Sequence, residues 1–188
     1  MRSEAFQKAV SGHEKVMRFT WFFFSACIGI YPVLLLFIPP QVTTNEMVLR
    51  VLPIAAAIVA GASLLLHKTM FSDSRLSAAA SKTFDARNLA TRPKTQQLNQ
   101  QLFATLSSLT PLEAKLYQVV RHVQAANVLT LMLNEVVAIC GLVLAPFESG
   151  IHSYLPYGVA ALALNIIFFP KVGSIVERAE ALPAFRSA

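Results

Sequence analysis

An all-α, polytopic membrane protein is the fold class this sequence predicts: four transmembrane helices arranged as two tandem hairpins, with cytoplasmic amphipathic helices. Three observations predict it. Of the 188 residues, 55% are hydrophobic and 14% charged, against about 25% charged in a soluble globular chain, and the mean hydropathy is +0.54. Four apolar segments approach the roughly 20 residues that a helix needs to cross the hydrocarbon core. Finally, fifteen of the sixteen Lys and Arg residues fall on one side of a four-span arrangement, Arg50 being the exception, as expected of cytoplasmic loops.

The elements follow in order. Residues 1–18 read as a cytoplasmic amphipathic helix, with Phe6, Ala9, Val10, His13, Val16 and Met17 at helical spacing and Gln7, Lys8, Ser11, Glu14 and Lys15 on the other side. Residues 19–38 form an uncharged first span closed by Pro39-Pro40. Within it Phe24-Ser25-Ala26-Cys27 loosely resembles a lipoprotein cleavage box, but the apolar run continues to residue 38, so processing is not expected. A capping box, Thr43-Thr44-Asn45-Glu46, starts the second span at Thr44 or Asn45, and its apolar part covers 48–66.

The connector carries a stripe, Leu98, Leu102, Leu106 and Leu109, on a polar helix that starts after Arg92-Pro93. Thr110-Pro111-Leu112-Glu113 is a second capping box with Pro at the first helical position. One helix is predicted from there to Ala145, its apolar part covering 125–147. A last span, 154–169, is ended by Pro170-Lys171. Residues 1–188 are thus read as a single membrane domain: cytoplasmic helix 1–18, first hairpin 19–71, cytoplasmic helical connector 72–124, second hairpin 125–171 and cytoplasmic tail 172–188. An offset of 103 aligns Leu52-Pro53 with Leu155-Pro156, Ala57 with Ala160, Ala60 with Ala163 and Lys68 with Lys171, which points to an internal repeat whose halves share one orientation.

This composition excludes several classes. The net charge of +6 is a topology signal with attraction to anionic lipid as its by-product, so nucleic acid is not an expected partner. Cys27 and Cys140 both lie inside apolar runs, without the spacing of a metal site or disulfide framework. His13, His67 and His122 stand at span ends without a second ligand at HxxxH spacing. No phosphate-binding loop, HExxH or GxSxG occurs. The expectation is a non-enzymatic chain with no cofactor and no metal.

Glu135 is the residue that most needs a reason. About ten Leu, Ile and Val residues of its span contribute roughly −0.4 kcal/mol each to insertion, while a central ionised carboxylate costs about +3. Depth counted at about 1.5 Å per residue from Arg121, Arg18 and Lys171 puts Glu135, Tyr31 and Tyr157 at one level, near Pro32, Pro53 and Pro156. A mid-membrane layer of Glu135, Tyr31 and Tyr157 is therefore predicted, either a proton or ion relay or a structural polar layer. The same counting pairs Asn127 with Asn165, while Asn127, Thr130, Asn134, Ala138, Gly141 and Ala145 share a side of the third span. Asn127, Asn134 and Asn165 are the predicted interhelical polar contacts.

Two functions fit these residues. One is an integral membrane subunit or scaffold of a larger membrane assembly, with Leu98, Leu102, Leu106 and Leu109 docking a partner. The other is a small proton- or ion-coupled transport element using Glu135. Partners would be membrane lipid and other membrane subunits, or further copies of the chain. The expected location is the bacterial inner membrane with both termini cytoplasmic.

Overall fold

A computed structural model of the chain describes residues 2–39, 46–81, 107–148 and 150–186, and no strand occurs among the described residues. The helices are α1 Glu4–Leu35, α2 Glu46–Met70, α3 Asp73–Ala80, α4 Pro111–Leu144, α5 Ile151–Ile167, α6 Val172–Glu180 and α7 Pro183–Arg186. A 3₁₀ turn, Ala145–Phe147, continues α4. Three helices, α1, α2 and α4 with its turn, are long and apolar enough to cross a membrane, and α5, of 17 residues, makes a fourth when counted with α6. The described residues form an all-helical fold, with the dimensions of a helical membrane protein.

The chain divides into two compact units, residues 17–69 with 126–170, and residues 1–16 with 70–125 and 171–188. In the first unit α4 is the enclosed helix: half of its most apolar stretch is buried, against 11% for α1 and α2. Phe19, Phe22, Phe23, Ile54, Ile58, Val159 and Ile166 are all more than half exposed. Such a belt is untenable in water and ordinary against lipid. Inside, Ile28, Ala56, Val137, Ala138, Tyr154 and Ala161 form one cluster. Close approach of α4 and α5 depends on Gly141, where an added Cβ would lie 2.6 Å from the Cβ of Tyr157. The turn into α5 needs Gly150 for its backbone, at φ 63°.

The second unit buries an apolar face of each of its helices. Leu116, Val119, Val120 and Val123 recur along one face of α4 and are buried, as are Phe6, Leu76, Val172, Val176 and Ala179. His13 links α1 to α4. The amide oxygen of Gln124 can only accept, so Nδ1 of His13 donates to it, and Nε2 accepts from the Tyr117 hydroxyl at 2.9 Å. Exposed ion pairs join Arg2 to Glu180 at 3.0 Å and Asp73 to Arg178 at 2.7 Å, each contributing little in water.

Leu98, Leu102 and Leu106, and Thr43-Thr44-Asn45, lie outside the described residues. Leu109 is described and half-buried just before α4. There the capping box closes reciprocally. The backbone N–H of Glu113 donates to Thr110 Oγ1 at 3.3 Å, and that of Thr110 donates to Glu113 Oε2 at 3.0 Å. The other carboxylate oxygen accepts from the backbone N–H of Ser3 at 2.6 Å, while Ser3 Oγ accepts from the N–H of Phe6 at 3.2 Å. One carboxylate thus serves the first turns of two helices.

Glu113 stands well clear of any crossing. The 34 residues of α4 measure about 51 Å against a hydrocarbon core of about 30 Å, and the apolar part is the C-terminal one. Burial pushes the Glu113 carboxyl up, but the hydrogen bonds from Ser3 and Thr110 outweigh it and hold it at about 2, below the ordinary 4.5. A carboxylate with a depressed folded value contributes stability above its unfolded value and loses it as pH falls toward the folded one. Wild-type chain in detergent should therefore lose thermal stability between pH 4.5 and pH 2 in part through this group. Glu113→Gln should be less stable at pH 7 by about 1 kcal/mol and show a flatter acid limb in melts followed by circular dichroism. An unchanged acid limb would show that the clamp does not couple protonation to folding.

Candidate functional site

The polar side chains of the membrane-type unit are drawn from all four of its helices. Ser63 on α2 donates to Asn134 Oδ1 on α4 at 2.6 Å. The Asn134 amide donates to Asn165 Oδ1 on α5 at 2.8 Å, and the Asn165 amide donates to Ser25 Oγ on α1 at 3.2 Å. The three bonds run head to tail, so each donor is polarised by the group behind it. Ser63, Asn134 and Asn165 are each 0% exposed. In a medium that offers a polar atom no other partner, this chain joins four helices at one place.

The end of α5 is served from the same surroundings. Phe169 turns its N–H back to the carbonyl of Ile166 at 3.3 Å, which leaves the Asn165 carbonyl without its helical donor. Trp21 Nε1 donates to it at 2.6 Å, with the indole edge against Phe169 at 5.0 Å between ring centres. The Asn127 amide donates to the carbonyl of Phe168 at 3.0 Å. Two carbonyls at the end of α5, one in its last turn and one on its C-cap residue, thus receive side-chain donors from α1 and α4.

The expected pairing of Asn127 with Asn165 is accordingly replaced: Asn165 bonds to Asn134, two turns further along α4, and Asn127 bonds to a backbone carbonyl. Counting residues from flanking charges treats helix ends as chemically silent. A terminal carbonyl in an apolar setting instead attracts the nearest amide donor. Thr130, on the same side of α4, bonds within its own helix, to the carbonyls of Ala126 at 3.2 Å and Asn127 at 2.9 Å.

Glu135 is 8% exposed, one position around from Asn134. The Tyr31 hydroxyl donates to its Oε1; Oε2 is buried and has no hydrogen-bond partner among the described residues. Tyr157, expected in the same layer, forms no hydrogen bond to Glu135 and lies over Gly141. The aromatic neighbour on α5 is Tyr154, whose ring meets that of Tyr31 edge to face at 6.3 Å and whose hydroxyl donates to the carbonyl of Ile28 at 2.7 Å. Ile28 is four residues before Pro32, the position whose carbonyl a proline leaves without a donor.

Sequence reasoning missed Ser25, Ser63, Trp21 and Tyr154. For Tyr154 a signal existed, since a proline in a span names the carbonyl that needs a hydroxyl or amide. For the two serines there was none, because a hydroxyl in a span can satisfy itself on its own helix. Among the described residues no cluster of three His, Cys, Asp or Glu could hold a metal ion. No protein-family model, curated protein or solved structure matches the chain.

Asn134 makes two of the three bonds in the chain, so Asn134→Leu should destabilise the bundle by about 1–2 kcal/mol, leaving Asn165 Oδ1 without its donor and Ser63 with only the longer bond to the Thr130 carbonyl at 3.4 Å. A double-mutant cycle with Asn165→Leu should return a coupling of about 0.6 kcal/mol and below about 1.7. Asn127→Leu, with a different acceptor, should add to Asn134→Leu within about 0.5 kcal/mol. Unfolding in mixed micelles followed by Trp21, the one tryptophan, measures all three, and zero coupling between Asn134 and Asn165 would remove the chain as a stabilising element.

Proposed function

We propose that this protein is a non-enzymatic integral membrane subunit or scaffold of a larger membrane assembly. In this reading two tandem hairpins, residues 19–71 and 125–171, provide four spans. Both termini and residues 72–124 are cytoplasmic, and the bacterial inner membrane is the home. The orientation is supported by the Lys and Arg distribution. The observation that carries the reading is the chain from Ser63 through Asn134 and Asn165 to Ser25. It uses the interior's polar groups to hold helices to one another, while the outward faces present large apolar side chains that suit lipid or other membrane helices. The stripe of Leu98, Leu102, Leu106 and Leu109 serves as the cytoplasmic docking surface.

Native mass spectrometry of the protein drawn from its own host in mild detergent should show stoichiometric partner subunits. Leu102→Glu should release at least one of them without loss of the bundle. A lone chain or a closed homo-oligomer would overturn the assembly reading.

A second reading, a small proton- or ion-coupled transport element, is favoured by one specific feature: Glu135 keeps an unpartnered carboxylate oxygen beside Tyr31. An intramembrane carboxyl with a spare acceptor is the kind of group that exchanges a proton or cation. In proteoliposomes carrying a pH-sensitive dye, the transport reading expects proton flux that Glu135→Gln abolishes with the oligomeric state and melting temperature preserved. Flux equal in wild type and variant would leave Glu135 as a partner for Tyr31 alone.

A further inference from the structure

Between α3 and α4, within the unit that contains residues 70–125, lies a cavity of about 220 Å³ lined by Ala79, Gln118, Arg121 and His122. It is smaller than the roughly 300–1,000 Å³ that encloses a drug-sized ligand, and so is of a size for a small charged group. Gln118, Arg121 and His122 stand at i, i+3 and i+4, which puts all three on one face of α4. The methyl of Ala79, 4% exposed, forms the opposite wall and leaves the space open.

The lining is electrostatically one-sided. The guanidinium of Arg121 is exposed and makes no ion pair or hydrogen bond among the described residues, and the Gln118 amide has none either. His122 is oriented by Nε2, which donates to the carbonyl of Met70 at 3.1 Å. Among the described residues no carboxylate lines the cavity; Asp73, the acid of α3, pairs with Arg178 at 2.7 Å, and Glu113, two turns before Arg121 on α4, is held by Ser3 and Thr110.

We propose that this cavity binds a phosphate group. The planar fork of Arg121 offers two parallel N–H donors matched to two phosphate oxygens, and the Gln118 amide supplies a neutral donor from the next turn. A phosphate could come from a lipid headgroup or from solution. Arg121 is four residues before residue 125, where the apolar part of α4 begins, and that position favours the headgroup of an anionic phospholipid. The lipid source rests on the reading that α4 crosses a membrane; the phosphate chemistry does not.

The test uses full-length protein, delipidated in mild detergent. Native mass spectrometry titrates it with phosphatidylglycerol and, separately, phosphatidylcholine, and thermal shift measures the effect of inorganic phosphate. Wild type should bind phosphatidylglycerol in preference to phosphatidylcholine. Arg121→Gln should weaken that binding about tenfold, the loss of a charge-assisted hydrogen-bonded partner. Arg50→Gln, which removes the same charge far along the chain, should leave it unchanged. Gln118→Leu, which keeps the Arg121 charge, should weaken it severalfold and gives a reading even if Arg121→Gln folds poorly. Stabilisation by inorganic phosphate that Arg121→Gln abolishes, without a preference for phosphatidylglycerol, would keep the phosphate site and assign it a soluble source. Equal weakening by Arg50→Gln and Arg121→Gln, or none by Arg121→Gln and Gln118→Leu, would overturn the proposal.

Discussion

The amide of Asn134 is the constraint on which the membrane-type unit turns. It is fully buried, it accepts from Ser63 and it donates to Asn165, so α2 and α5 are both referred to one side chain on α4. Apolar side chains cannot set such a register in lipid, because lipid tails solvate them as well as another helix does. A directional chain of hydroxyl and amide groups can. Moving α2 or α5 along α4 by one residue would carry its acceptor or donor out of reach and strand a polar group in an apolar interior.

A second rule runs through the same unit: carbonyls that the helices cannot satisfy themselves are met by side chains from other helices. Pro32 deprives the Ile28 carbonyl of its donor, and the Tyr154 hydroxyl replaces it. The tightened end of α5 frees the carbonyls of Asn165 and Phe168, which are taken by Trp21 and Asn127. The counterpart in the other unit is the first turn of α4, where Glu113 serves backbone N–H groups at the starts of two helices. Breaks in regular structure are the places where these helices recognise one another.

Glu135 gains its meaning from the enclosure of α4. Asn134 and Glu135 lie about 100° apart on a helix, and both are buried because α4 has neighbours on more than one side. The amide bonds through both its oxygen and its nitrogen, the carboxyl through only one of its oxygens. That difference separates a group that locks the bundle from one with capacity to spare, and it is the physical ground on which the scaffold and transport readings diverge. At Arg121 the situation is reversed: a permanent charge stands at an open cavity that no carboxylate lines among the described residues.

The helical class, the apolar helices of membrane-crossing length and the single long helix from Pro111 were legible in the residues alone. They depend on local quantities, namely composition, segment length and capping spacing, that a linear reading samples directly. That Glu135 and Tyr31 share a depth could also be counted, because rise per residue is nearly constant. Which donor meets which acceptor could not. The choice of Asn134 over Asn127 for Asn165, the replacement of Tyr157 by Tyr154, and the recruitment of Ser25, Ser63 and Trp21 all follow from helix rotation and from backbone carbonyls freed at ends and prolines. Those are set when the helices come together, since a hydrogen bond demands an atom within about 3 Å in a given direction and one residue of rotation swings a side chain through about 100°.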